Sequence, residues 1–179
     1  KIDLGGIVKG YAADETKRIL NENGVKNAII DFGGNIYACG RNPSGEPWKI
    51  GIQNPFELNG KHMGIINAVD CSIVVSGDYE RFFEFEGKRY HHIIDSKTGY
   101  PSENELSAVC VIANDSIDAD ALTTALFVLG IEEGSELLNK MDNVDSLFIT
   151  KEKQVYVPPN LKDIFEIDDK EFIIIDNKQ

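Results

Sequence analysis

Asp120 and Thr124 lie four residues apart in the segment DADALTTALFVLG. That spacing puts a carboxylate and a hydroxyl on one face of a helix near its N-terminal end. Oxygen donors of this kind suit a hard cation such as Mg²⁺, which fills the rest of its octahedron with water and substrate phosphate. The same residues also fit a helix start without metal, where Asp115, Asp118 and Asp120 favour the positive helix terminus and Thr124 bonds its own backbone. A second group is Gly5-Gly6 followed by Lys9, a permissive backbone leading into a helix with a cation one turn on, which can cradle an anion. It has neither the spacing of a Walker loop nor that of a dinucleotide fingerprint, and an unliganded helix start accounts for it equally well.

His91-His92 in YHHIIDSKTGYP offers a general base, and Asp95, Thr98 and Gly99 form a polar turn that can orient a substrate. Alternation along a strand sends the two histidines to opposite sides, so one of them at most faces a given site. An exposed strand pair closing in an ordinary turn is the plain alternative.

These groups need elements to carry them. Apolar residues from Ile7 to Leu20 recur at helical spacing and Asn23-Gly24 supplies a stop, predicting a first helix. Ala28 to Phe32 reads as a strand that reverses at Gly33-Gly34-Asn35 into Ile36 to Cys39. Further strands are expected at Trp48 to Gln53, Gly64 to Val69, Ser72 to Val75, Arg81 to Glu86, Arg89 to Ile94 and Leu106 to Ala113. A second helix is expected over Ser116 to Leu129, ended by Gly130, and a third over Glu132 to Met141. Ser146 to Thr150, Gln154 to Val157 and Glu171 to Ile175 close the list of strands. The result is an α+β fold, a mainly antiparallel sheet with helices packed on it, in one domain spanning 1–179.

The chain has 179 residues, 42% of them hydrophobic, enough for one good core. Its formal charge of −12 argues against a nucleic-acid partner. It also means that a phosphate-bearing ligand needs local help from a cation, a lysine or backbone N–H groups. Cys39, Cys71 and Cys110 show no CxxC spacing and read as core packing. No apolar run is long enough to span a bilayer, and no signal-peptide pattern stands at the start. Lys1 opens directly onto IDLGGIVKGYAADE without a Met, so the chain is expected to be an N-terminally truncated fragment.

DLGGIVKGYAAD, DFGGNIYACG, VSGDYERFF, YHHIIDSKTGYP and DADALTTALFVLG resemble, in the same order, the motifs of the ApbE family of FAD:protein FMN transferases. The resemblance runs from Lys1 to about Gly130, the larger C-terminal part of such a protein, and implies a fold related to the tunnelling fold. It implies Mg²⁺ as cofactor, bound by Asp120 and Thr124 with Thr123 sometimes beside them, and by Gly6 through backbone oxygen. It implies FAD as substrate, contacted at Asp3, Lys9 and Ile94, with Asp95 in the adjoining turn and the Gly33-Gly34-Asn35 backbone close to the nucleotide. His92 matches the histidine proposed to take part in catalysis. The implied partner is an acceptor flavoprotein offering a Thr or Ser hydroxyl. The implied location is outside the cytoplasmic membrane, held by an anchor absent from this chain. Two departures stand out: the family's N-terminal region, which helps to enclose both ends of FAD, is missing, and Ser96 replaces the usual proline after the Asp. The competing functions are a metal-dependent FAD pyrophosphatase releasing FMN and AMP, a noncatalytic FAD-binding module, and a structural domain without ligand.

Overall fold

The computed structural model describes residues 3–57 and 60–177. In chain order the elements are α1 (Val8–Glu22), β1 (Ala28–Asp31), β2 (Asn35–Cys39), β3 (Trp48–Gln53), β4 (His62–Ala68), β5 (Cys71–Gly77), β6 (Phe82–Phe85) and β7 (Lys88–His91). There follow β8 (Leu106–Ala113), α2 (Ser116–Leu138), β9 (Val144–Thr150), β10 (Gln154–Val157), a short 3₁₀ turn (Pro159–Leu161), β11 (Phe165–Ile167) and β12 (Ile173–Asp176).

A seven-stranded sheet runs in the order β1-β2-β5-β8-β9-β10-β12, a three-stranded sheet in the order β11-β4-β3, and β6 with β7 forms a separate hairpin. Every pairing is antiparallel except β10 with β12. The α+β class expected from the sequence is therefore the observed one. β8 is central, and all eight of its residues are buried. That explains why LSAVCVIA is nearly continuously apolar rather than alternating, since both faces of the strand are covered.

One face of the large sheet packs on the small sheet through Ile52, Met63, Ile66, Cys110, Leu147 and Ile149. The other face packs on α2 through Val109, Val111, Leu126, Phe127 and Phe148. Each such large side chain contributes roughly 1.5–3 kcal/mol on leaving water. Cys39 and Cys110 are buried and Cys71 partly so, and all three are free thiols, in keeping with a packing role.

Helix α1 ends in a Schellman motif, in which the Val25 N–H donates to the Leu20 carbonyl and the Gly24 N–H to that of Asn21. Gly24 takes the left-handed conformation this requires (φ 79°). The two helices expected over 116–141 form one element broken at Gly130, whose φ of 77° and ψ of −174° are not helical. The sequence reading missed β11, because three residues between polar turns carry too little pattern to detect. No helix among the described residues is long and apolar enough to cross a membrane.

Candidate functional site

A cavity of about 260 Å³ opens where the start of α1, the face of α2, the end of β5 and the segment after β7 meet. Asp3, Gly6, Lys9, His92, Ile94, Asp120 and Thr124 all line it, together with Ser76, Glu80 and Arg81. Asp120 is buried, 4% exposed, because Ala119, Thr123, Leu126 and Phe127 on the same helix turn their face inward and draw it in at the edge. A groove of about 650 Å³ along α2 shares Gly6, Ile94 and Thr124 with the cavity and adds Ile7, Asp95 and Val128.

The two helices meet at Gly10. A Cβ there would lie 2.3 Å from the Ser116 carbonyl oxygen and 2.6 Å from the Ile117 Cα, so only glycine permits the approach. The approach lets the Gly10 N–H donate to Asp120 Oδ2 at 2.8 Å. Gly10 stands in the first turn of α1, where an N–H has no acceptor within its own helix; Asp120 supplies one, and the Gly6 carbonyl, ahead of the helix, accepts no hydrogen bond among the described residues. Two oxygens are left open beside the Thr124 hydroxyl: the Gly6 carbonyl and Asp120 Oδ1. Among the described residues no group of three or more His, Cys, Asp or Glu gathers as a metal cage. A set of one carboxylate, one hydroxyl and one carbonyl suits Mg²⁺, which keeps waters and substrate phosphates in its shell, and suits Zn²⁺ poorly.

Asp14 fixes the start of α2 from the other helix. Its carboxylate accepts the N–H groups of Ser116 at 2.9 Å and Ile117 at 2.8 Å. Asp115, at the N-cap position, makes no capping bond of its own. The α1–α2 junction is thus held by two carboxylates in opposite directions, Asp14 on α2 and Asp120 on α1.

The profile of the ApbE family matches residues 1–148. The chain belongs to the ApbE family. It is 40% identical to an FAD:protein FMN transferase of Treponema pallidum over 97% of this chain and 50% of that protein. It is 42% identical to one of Klebsiella pneumoniae over 87% of this chain and 47% of the other. The chain thus spans about half the length of the curated relatives it matches. In fold it is similar to the ApbE protein of Thermotoga maritima, with a TM-score of 0.82 at 33% identity over 92% of this chain and 53% of that one. A flavin transferase ApbE from Vibrio cholerae gives a TM-score of 0.78 at 33% identity over 91% and 52%.

Not every position matched to the ApbE motifs reaches the cavity. Thr123 is fully buried; its hydroxyl donates to the Asp120 carbonyl at 2.8 Å and accepts from Ser76 at 2.9 Å, so it braces the helix rather than lining the cavity. Asp95 lines the adjoining groove. Its carboxylate accepts the Lys97 N–H, and its carbonyl accepts that of Gly99, shaping the turn that Ser96 enters. Gly33 and Gly34 form the positive-φ turn between β1 and β2, outside both hollows. Asn35 is buried beneath α2, where its Oδ1 accepts from Ser116 Oγ at 2.6 Å and its Nδ2 has no partner among the described residues. Asp3 caps the turn before α1 by accepting the Gly5 N–H at 2.7 Å. The sequence reading singled out neither Gly10 nor Arg81, since an isolated glycine in a helix and an arginine opening a strand carry no spacing signal.

The two histidines part as alternation requires. His92 is exposed and lines the cavity, while His91 is buried on the other side against the Phe127 ring. His91 Nε2 lies 3.0 Å from the Ser102 carbonyl, and its Nδ1 faces the Ile93 N–H at 3.3 Å. The tautomer serving both neighbours is neutral, with the proton on Nε2. Burial lowers its pKa below 6.5; Asp78 and the bond to Ser102 pull upward, while His92 and Lys151 add to the lowering. As pH falls, the unfolded chain takes up this proton before the folded one. The contribution is therefore intact above about pH 6.5 and is lost as pH drops toward the folded-state value. We expect the urea midpoint to fall between about pH 7.5 and pH 5.5, and to fall less in His91→Gln. An equal fall in the variant would remove His91 as the source.

Proposed function

We propose that this chain carries the active site of an Mg²⁺-dependent FAD:protein FMN transferase. FAD is cleaved at its pyrophosphate, FMN is joined by a phosphoester to a Thr or Ser hydroxyl of an acceptor protein, and AMP leaves. The observation that carries this reading is the convergence, in one cavity, of an open oxygen-donor set and a solvent-reachable histidine. The names of the relatives point the same way.

Asp120, Thr124 and the Gly6 carbonyl would hold the cation. When bound, it supplies charge neutralisation at the pyrophosphate and on the departing AMP. Lys9 adds a fixed positive charge on the α1 side of the cavity. Apolar Ile7, Ile94 and Val128 give the flavin ring a dry surface along the adjoining groove. His92 takes the proton from the acceptor hydroxyl as its oxygen bonds to the FMN phosphorus and the phosphorus–oxygen bond to AMP breaks. This reading brings with it a location outside the cytoplasmic membrane.

The test is mass spectrometry of a Thr-bearing acceptor domain incubated with the intact protein, FAD and Mg²⁺, with EDTA as control. A metal-dependent gain of one FMN on the acceptor is the expected result. Free FMN and AMP with an unmodified acceptor would show a pyrophosphatase instead. His92→Ala should slow transfer about a hundredfold and leave FAD binding unchanged. Lost binding with normal single-turnover transfer would take His92 out of that role.

A further inference from the structure

Of the chain's four arginines, three are engaged within the protein. Arg18 bridges Glu15 and Glu22, Arg41 donates to the Gly45 carbonyl, and Arg89 pairs with Asp78 and Glu84. Arg81 makes no side-chain hydrogen bond or ion pair among the described residues, yet it lines the same cavity as Lys9, His92 and Asp120. Its neighbour Glu80 also faces that cavity without pairing to it.

The backbone of Arg81 is fixed on both sides. Two residues earlier, Tyr79 is buried in the core, 8% exposed, and the Asp78 N–H is bonded to the Ser107 carbonyl at 3.0 Å. Its own carbonyl accepts the N–H of His92 at 3.0 Å. Arg81 and His92 are therefore tied side by side on the wall formed by the β5–β6 turn and the segment after β7. The cation donors Gly6, Asp120 and Thr124 stand on the wall formed by α1 and α2. A planar guanidinium with five unclaimed donors matches a phosphoryl group in a way an ammonium does not. An open arginine facing a cavity in a chain of charge −12 is placed to bind an anion.

We propose that Arg81 grips the non-bridging oxygens of the phosphoryl group being transferred, the FMN phosphate, beside His92 and across the cavity from the cation donors. This rests on the transferase reading, and it adds a residue that selects for phosphorylated flavin and stabilises the charge spread over that group in the transition state. Arg81→Lys keeps a charge but loses the paired donors, so it should recover only part of the function.

The test compares riboflavin, FMN and FAD binding to the intact protein, with Mg²⁺ present, by quenching of flavin fluorescence. Arg81→Ala should weaken FMN and FAD tenfold or more, leave riboflavin unchanged, and lower kcat for transfer a hundredfold or more. Unchanged riboflavin affinity and thermal midpoint show that the variant is folded, and Arg81→Gln repeats the comparison with a neutral side chain of similar length. If Arg81→Ala still prefers FMN over riboflavin as the wild type does, Arg81 does not hold the phosphate, and the transferase reading stands without it. If the wild type itself shows no preference for phosphorylated flavin, both the proposal and the reading beneath it fall.

Discussion

Asp120→Asn is expected to lose metal-dependent transfer, by at least a hundredfold given that even outer partners of metal sites cost 10–100-fold, while the protein stays folded. The amide oxygen can still accept the Gly10 N–H that Asp120 Oδ2 now holds at 2.8 Å, so the α1–α2 contact survives. What disappears is the negative charge and the open second oxygen. Asp120→Ala removes the acceptor too and leaves a buried N–H unpaired, which costs about 1–3 kcal/mol more. Thermal unfolding with and without Mg²⁺ separates the two effects without any need for turnover. The wild type should gain stability from the ion, Asp120→Asn should gain none from the same starting midpoint, and Asp120→Ala should begin lower. An Asp120→Asn protein that Mg²⁺ still stabilises like the wild type would take Asp120 out of the metal site.

Gly10→Ala should be damaging out of proportion to one methyl group. Alanine favours helix over glycine by about 1 kcal/mol, so helix propensity alone predicts a gain. The added Cβ, however, would meet the Ser116 carbonyl oxygen at 2.3 Å and the Ile117 Cα at 2.6 Å, and backbone cannot yield as a side-chain tip does. The helices must part, at about 3 kcal/mol, for a fall in Tm of roughly 6–12 °C in a chain of this size. Parting them also withdraws the Gly10 N–H from Asp120 and moves Gly6, on the α1 side, away from Asp120 and Thr124 on α2. Mg²⁺ affinity should therefore fall along with stability. A Gly10→Ala protein with unchanged Tm would show that the helices do not approach this closely.

Local pattern carried much of the fold. Trp48–Gln53, Leu106–Ala113 and Gln154–Val157 have the same limits in the structure as in the sequence reading, because turn residues bracket each strand. The His91-His92 step was legible from period-two alternation alone. The order of strands was not, since β2 with β5 and β5 with β8 join segments far apart in sequence through pairings that no local signal specifies. The cap of α2 was hidden for the same reason: its donors bond to Asp14, about a hundred residues away, rather than to the neighbouring Asp115. Gly10 matters only because another helix lies against it, and Arg81 only because nothing does. Such roles follow from tertiary approach and leave no spacing behind.

The sheet order also sets when the site can come into being during synthesis. Every residue lining the cavity, from Asp3 to Thr124, has been made before β9 exists. Yet β8 pairs with β9 along its length, and Phe148 of β9 belongs to the apolar layer beneath α2. Until β9 emerges, α2 has only part of the floor that turns Asp120 inward toward α1. At a synthesis rate of about 5–20 residues per second, the cavity walls wait seconds for the strand that seats them. A nascent chain released before β9 would hold every residue of the cavity while α2 still lacked the part of its apolar layer that Phe148 supplies.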